Sequence, residues 1–402
     1  MTGAILTLNA GSSSLKFALF ARDDDSLSKT VHGQVEGIGS SPHLIARGED
    51  GAVLAEHRWT ADADLDHEAF LKPLLVLIDK HLDGAPLSAI GHRIVHGGQA
   101  FRAPVLIDPD VLRQLDTLVP LAPLHQGHNL AAVRAAQAAR PGLPQVACFD
   151  TAFHAGHAEV VTHLALPPPW YEQGVRRYGF HGLSYEFVAG RLRGLDPTLA
   201  SGRVIIAHLG NGASLCAVRD GISVDTTMGF TALDGLVMGT RCGALDPGVI
   251  LYLQQQAGLS IEAVQDLLYN RAGLLGVSGL SSDMRVLTAS DDPQAKLAVD
   301  LFVFRIVREI GALAASMGGL DGLVFTAGIG ENAPDIRARV IQRLAWMGAV
   351  LDPDANARGE GLISTGSSGL KVLVAPTDEE TMIARHTLTA MLGCERTSGR
   401  SA

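Results

Sequence analysis

Residues 5–20, ILTLNAGSSSLKFALF, run as an apolar strand, a turn of small residues and a second apolar strand, and residues 204–221, VIIAHLGNGASLCAVRDG, repeat that plan. A plan used twice predicts two half-molecules of similar build, each offering a glycine/serine hairpin, and two such hairpins can hold a phosphate chain between them. A repeat this faint supports a fold without assigning one. Length agrees with it, because 402 residues exceed the roughly 250–300 at which one core stops growing, so two domains are expected. Further short apolar stretches, GLVFTAG and KVLVAP, stand among amphipathic helical segments, which points to α/β layering. Asp246-Pro247, Ser260 and Asp292-Pro293 each open a helix, the last running towards Gly318, because each pairs a capping side chain with a suitable first turn. The stretch Pro141-Gly142-Leu143-Pro144, before VACFDTAFH, is where the chain is expected to cross into its second domain.

With 47% apolar and 18% charged residues the chain reads as globular, and a net charge of −10 argues against a nucleic-acid partner. No apolar run approaches the ~18–20 residues of a membrane span, and the N-terminus lacks a basic segment followed by a long apolar one, so a cytoplasmic location is expected. Cys148, Cys216, Cys242 and Cys394 lie far apart with no paired spacing, which disfavours disulfides and a thiolate zinc site.

The turn Asn9-Ala10-Gly11-Ser12-Ser13-Ser14-Leu15-Lys16 lets backbone N–H groups approach a phosphate while Lys16 supplies positive charge; read alone, it is equally a surface hairpin. No GxxxxGK[ST] occurs, which excludes an ordinary P-loop. The second hairpin, His208-Leu209-Gly210-Asn211-Gly212, offers the same physics with an imidazole and an amide as extra donors. Gly328-Ile329-Gly330-Glu331-Asn332 follows a strand and precedes the helical PDIRARVIQRLAWMG, an order that aims helix N–H groups at an anion or nucleotide, although such glycine turns are as often structural. Arg93 in GHRIVHGG and Arg241 in MGTRCGALDPG sit in polar turns beside apolar strands. A guanidinium there suits a carboxylate or a phosphoryl group, against the plainer reading of a surface ion pair. Asp150 in CFDTAFH and His181 in YGFHGLS complete a set at strand ends and turns, where α/β proteins bind ligands. His154, His157 and His163 raise a zinc reading, but no HExxH-like pattern follows, and ordinary polar histidines fit better. In Pro376-Thr377-Asp378-Glu379-Glu380 the Thr-x-x-Glu spacing assigns Glu380 to a capping box with Thr377. Glu379 is then left for Mg²⁺, which takes one or two protein oxygens beside phosphate and water.

Taken together, LTLNAGSSSLKF, HRIVHGG, FDTAFH, RYGFHGLSY, IAHLGNGASLCAV, TTMGFTALDGLVMGTRCGALDPG, SGLSSDMR, TAGIGEN and PTDEE resemble the acetate kinase family in its own motif order and over almost the whole chain. The resemblance implies the α/β acetate and sugar kinase, Hsp70 and actin (ribonuclease H-like) fold: two similar domains around a nucleotide cleft, in a homodimer. Its boundaries would be 1–149 plus 382–402 for the N-terminal domain with the C-terminal helix, and 150–381 for the nucleotide-binding domain. Carried over by position, Asn9 and Glu379 match the magnesium positions, and Lys16 a nucleotide-phosphate contact. His208, Leu209, Gly210, Asn211 and Gly212, then Asp283, Met284 and Arg285, then Gly328, Ile329, Gly330, Glu331 and Asn332 match three ATP-binding stretches. Arg93 matches the carboxylate-substrate position, Asp150 the catalytic acid, His181 and Arg241 the residues that stabilise the transition state, and Val95, Leu124 and Phe180 the apolar wall around the acyl methyl.

The implied reaction is reversible, direct in-line transfer of the γ-phosphoryl group of ATP to acetate, giving acetyl phosphate and ADP, with Mg²⁺ as cofactor and Mn²⁺ as a substitute. Arg93, Arg241, His181 and the metal must offset anionic repulsion. A carboxylate at neutral pH has no proton to lose, so Asp150 is expected to orient an arginine or metal-bound water rather than act as an essential base. Three departures stand out: Ala232 in GFTALDG, where the family usually has proline, and Cys242 and Ala244, where it usually has serine and aspartate. Loss of a ring at residue 232 predicts a wider acyl pocket and propionate turnover. The alternatives are a propionate or other short-chain carboxylate kinase, an actin- or Hsp70-like nucleotide switch, and, more remotely, a zinc hydrolase.

Overall fold

The structure is a computed structural model of the whole chain, and it describes residues 3–11, 14–24, 26–38, 41–60, 67–123, 125–359 and 361–398. Two compact units result, Met1–Ala152 with Asp378–Ala402, and Phe153–Thr377. Asp150 and Glu379 thereby belong to the first unit, because Asp150 continues the strand before it and Glu379 opens the C-terminal helix that packs there.

The first unit carries an eight-stranded sheet of β1 (Gly3–Ala10), β2 (Ser14–Asp23), β3 (Ser26–Glu36), β4 (His43–Gly48), β5 (Val53–Arg58), β6 (Leu87–Ile94), β7 (Val105–Leu106) and β8 (Gln145–Phe149), in the order β5-β4-β3-β2-β1-β6-β8-β7. β1 and β2 pair antiparallel, Asn9 opposite Lys16, while β1, β6 and β8 run parallel. Every residue of β1 is buried, as its unbroken apolar run requires of a strand covered on both faces. Leu6 and Leu8 join Phe17 and Leu19 against Phe70, Leu74 and Ile78 of helix His67–Asp79, and Ile5, Ala18 and Phe20 meet Ala384 and Leu388 of helix Glu379–Ser398. Gly91 permits that second approach, since a Cβ there would lie 2.1 Å from Thr387 Oγ1.

The second unit carries a six-stranded sheet of β9 (Arg203–Leu209), β10 (Ala213–Arg219), β11 (Ile222–Thr226), β12 (Gly322–Thr326), β13 (Gly361–Leu362) and β14 (Lys371–Val374), in the order β11-β10-β9-β12-β14-β13. Its antiparallel β9–β10 hairpin and parallel β9, β12 and β14 repeat the plan of β1, β2, β6 and β8, so the two like segments of sequence are the same piece of two like sheets. The expected helix starts form: Asp246 caps Pro247–Gln255, Ser260 caps Ile261–Asn270, and Asp292 caps Pro293–Met317 through Gln294 N–H, with Gly318 in the left-handed region closing it.

Two local readings change. Gly328–Asn332 is not a loop before a helix; with Ala327 it is itself a helix, Ala327–Asn332, followed by helix Pro334–Arg343. The Glu331 carboxylate closes that turn, accepting from Ala327 N at 2.8 Å and Thr377 N at 3.1 Å. The C-terminal helix is capped by Asp378, which accepts from Thr381 N at 2.9 Å, and not by a Thr377–Glu380 box: the helix begins at Glu379, so Glu380 stands too near its start to reach back.

Candidate active site

In the first unit three of the sequence-marked side chains gather at the C-terminal ends of adjacent parallel strands, Asn9 on β1, Arg93 on β6 and Asp150 just beyond β8. Arg93 donates to both Asp150 oxygens, Nη2 at 2.6 Å and Nε at 3.0 and 3.1 Å, and its Nη1 donates to Asn9 Oδ1 at 3.1 Å. Asn9 passes the connection on, its amide N–H donating to Glu379 at 2.9 Å and to Glu380 at 3.3 Å. Asp150 is 1% exposed. Burial works against the charge on Arg93, but Asp150, Glu379 and Glu380 outweigh it and hold the guanidinium above its ordinary pKa. Burial pushes Asp150 up, with Arg93 pulling the other way. Glu380 is raised by burial and then by Glu379 beside it.

Crowded carboxylates of this kind are what a hard cation relieves. Magnesium needs only one or two protein oxygens, and Glu379, held by Asn9, is placed to give one. Asn9 itself spans Arg93 and Glu379. Among the described residues no group of three or more His, Cys, Asp or Glu is arranged to hold a metal, so a cation here would lean on phosphate and water. Lys16 is exposed on β2 and lines a depression of about 300 Å³ with Glu380, whose carboxyl it pulls down.

Val95 is buried, and its N–H donates to Asn129 Oδ1 at 2.9 Å; Asn129 also donates to the Ala10 carbonyl at 2.7 Å. Gln126, one turn earlier on helix Gln126–Ala139, holds both the N–H and the carbonyl of His96. Sequence reasoning missed these two buried amides, whose signal is a pair of polar residues on the inward stripe of an apolar helix. Leu124 lies outside the described residues.

In the second unit His181 stands just before helix Gly182–Leu195 in the left-handed region, φ 58°. Its Nδ1 lies 2.8 Å from Ser214 Oγ, which Tyr185 O–H also reaches, and its ring stacks on His208 with centroids 4.2 Å apart. His208 Nδ1 in turn meets Ser184 Oγ at 2.8 Å. Gly212, at the base of the β9–β10 turn, is the common neighbour. A Cβ there would be 3.1 Å from Arg241 Nη2 and 3.2 Å from His181 Nε2, so both groups reach one spot. Arg241 Nη1 donates to the Ala232 carbonyl at 2.6 Å, which places the departure from the family pattern against this arginine. Phe180 is buried beside His181.

The same hairpin enters a cavity of about 720 Å³, roomy enough for a nucleotide. Gly210 and Asn211 line it, with Asp283, Met284 and Arg285 and with Gly328, Ile329 and Asn332, so parts of all three glycine- or charge-marked stretches meet in one unit. Asp283 caps helix Met284–Thr288 and pairs with Arg285, which lowers its carboxyl. His208, Leu209, Gly212, Gly330 and Glu331 do not line the cavity: Leu209 and Gly330 are buried in packing, and Glu331 holds the turn described above. Ser282, Thr288 and the segment Ala333–Ile336 join it, the last signalled in sequence only by Pro334 at a helix start. Of the sequence-marked histidines, His154 and His157 both reach Ser223 Oγ, while His163 stacks on Tyr171 at 3.7 Å.

A profile of the acetokinase family matches residues 4–385. The chain belongs to the acetokinase family. As a member it is a kinase that takes ATP as a substrate. It is 52% identical over 398 residues to the acetate kinase of Nitrobacter hamburgensis, covering 99% of this chain and 98% of that one. To the acetate kinase of Rhizobium meliloti it is 53% identical over 385 residues, 96% and 98% covered. Among solved structures, a propionate kinase from Francisella tularensis matches with TM-score 0.87 at 38% identity, covering 96% of this chain and 98% of that chain. Porphyromonas gingivalis acetate kinase matches with TM-score 0.84, also at 38% identity, covering 97% and 100%. The fold of the acetokinase family is thus the α/β acetate and sugar kinase, Hsp70 and actin fold expected from the motifs. No described helix is long and apolar enough to cross a membrane.

Proposed function

We propose that this chain transfers the γ-phosphoryl group of ATP to acetate, reversibly and by direct in-line displacement, giving acetyl phosphate and ADP. The observation that carries the reading is the β9–β10 hairpin: Gly210 and Asn211 line the nucleotide cavity, and the next residue, Gly212, faces Arg241 and His181. One turn thus connects nucleotide binding to two donors suited to charge on a transferring phosphoryl group. Arg93 takes the carboxylate, held in direction by Asp150, which needs to remove no proton. Val95, Leu124 and Phe180 are assigned to the acyl methyl by their match to the family's positions. Glu379, aligned by Asn9, holds Mg²⁺, or Mn²⁺ in its place; the ion supplies charge neutralisation on the phosphates. Lys16 contributes a further cation towards the nucleotide tail.

Hydroxylamine trapping with Mg·ATP and acetate, propionate or butyrate tests this directly. Wild type should form acyl hydroxamate, and Arg241→Ala should lose at least ~100-fold, the scale of one removed transition-state donor. ATP binding without product from any carboxylate would instead favour a nucleotide switch.

A second reading, propionate as a good substrate, is favoured by alanine at residue 232, where the family usually has the larger proline, and by the likeness to a propionate kinase. Propionate kcat/KM should fall within ~200-fold of that for acetate, the range one methylene ordinarily costs, and a larger gap rejects it. The reading includes a cytoplasmic homodimer. Exposed Leu251, Tyr252 and Ile261 on helices Pro247–Gln255 and Ile261–Asn270 offer apolar surface for a second copy, and light scattering should return twice the chain mass.

A further inference from the structure

A file of hydrogen-bonded side chains in the second unit takes no part in the reaction as proposed, yet it ends on the backbone that carries His181. His154, 2% exposed, sets Nε2 2.9 Å from the Phe180 carbonyl and Nδ1 2.8 Å from Ser223 Oγ. His157 Nε2 lies 2.7 Å from the same hydroxyl, with Cys216 Sγ at 3.3 Å. A carbonyl oxygen can only accept, so Nε2 of His154 carries the hydrogen. Burial keeps the ring neutral, near a pKa of about 3, so Nδ1 is a bare acceptor and the Ser223 hydroxyl donates to it. Having given its one hydrogen, Ser223 Oγ accepts from His157 Nε2. The direction of every bond from His157 through Ser223 and His154 to Phe180 is thereby set.

The turn at the end of that file needs holding. His181 is a non-glycine residue at φ 58°, an unfavourable conformation that persists only where neighbours over-determine it. Ser214 fixes its ring, and the Gly229 carbonyl accepts from Tyr178 and Gly179 N–H on the approach. Gly179 sits at φ +80°, and a Cβ there would lie 2.7 Å from His154 Cδ2, so the imidazole fills the space the glycine leaves.

We infer that His154, as its Nε2–H tautomer, is a positioning residue that sets the His181 imidazole by anchoring the Phe180 carbonyl. The inference rests on the assignment of His181 to the transition state. Long-range ¹H–¹⁵N spectra of wild-type enzyme labelled at histidine nitrogen should show one neutral Nε2–H ring at pH 7 that His154→Gln removes and Ser223→Ala shifts. His154→Ala should lower kcat by about 10–100-fold, the scale of a misplaced catalytic group, while KM for ATP stays within ~3-fold, because His154 touches no residue of the nucleotide cavity. His154→Gln, which retains an N–H for the Phe180 carbonyl, should recover at least ~5-fold of that loss. An Nδ1–H or doubly protonated ring in wild type, an unchanged kcat in His154→Ala, or no recovery by Gln overturns the inference. His181→Ala is measured alongside. If it keeps full kcat, the role of His181 is what fails; if it loses kcat while His154→Ala keeps it, only the positioning does. Should His154→Ala not fold, the wild-type tautomer and the Gln variant decide.

Discussion

Gly212 shows how little a residue's own chemistry says about its work. It has no side chain, and its importance is the room it leaves for Arg241 Nη2 and His181 Nε2. Gly212→Ala puts a methyl 3.1–3.2 Å from the far ends of two side chains that can give by a few tenths of an ångström, so the fold should tolerate it. Catalysis should not: kcat is expected to fall at least ~10-fold with the melting temperature within a few degrees of wild type, and an unchanged kcat would show that the two groups do not need that spot. Arg93, Asp150, Asn9, Glu379, His181 and Arg241 could all be picked from their turns and strand ends in the sequence. What could not be picked were the side chains that hold His181, His208 and the backbone of Val95 and His96. Ser214, Ser184, Asn129 and Gln126 are polar residues inside apolar strands or helices, and only a partner in space distinguishes a positioning hydroxyl or amide from an incidental one. Glu380 is the reverse case: its spacing from Thr377 suggested a local cap, and the structure gives the cap to Asp378 and sends Glu380 to Asn9.

At the scale of elements, the C-terminal helix is placed by one missing side chain. Gly91 on β6 lets helix Glu379–Ser398 come down on the sheet, and that helix begins with Glu379 and Glu380, so packing and site geometry are coupled there. Gly91→Val would drive a methyl into Thr387 Oγ1 and Ile383 Cγ2, at 2.1 and 2.8 Å for a Cβ alone. Overpacking of this kind costs about 1–3 kcal/mol, to be read as a lower urea midpoint, and it should weaken magnesium-dependent activity more than ATP binding to the second unit. Equal loss of both would mean that the helix does not set the carboxylates. Capping signals pointed to a helix start here in the sequence, one residue from the cap that forms. They could not show that Gly328–Asn332 would close into a helix of its own, because that turn is tied by Glu331 reaching back to Ala327 and across to Thr377, a contact 46 residues away.

Across the whole molecule, two histidines in each unit are strongly lowered by desolvation. His92 and His96 in the first, with His157 in the second, are lowered by burial to about 4, and His154 to about 3. The unfolded chain binds protons at these positions below about pH 6.5 and the native chain does not, so their contribution is complete above 6.5 and is lost as pH falls towards 4. Urea midpoints should therefore hold between pH 8 and 7 and decline from 6.5 downwards, before most carboxylates titrate; a flat profile to pH 4.5 would contradict these burials. The amino-acid sequence alone determined the α/β class, the doubled strand–turn–strand plan, the helix starts and the identity of the charged and glycine-rich motifs, because these are properties of neighbours along the chain. Only the tertiary structure decided which of those motifs meet. Glu379 reaches Asn9 across 370 residues because the C-terminal helix packs on the first sheet, and Gly210 shares a cavity with Gly328 because β9 and β12 run parallel and end side by side, and no local pattern encodes that register.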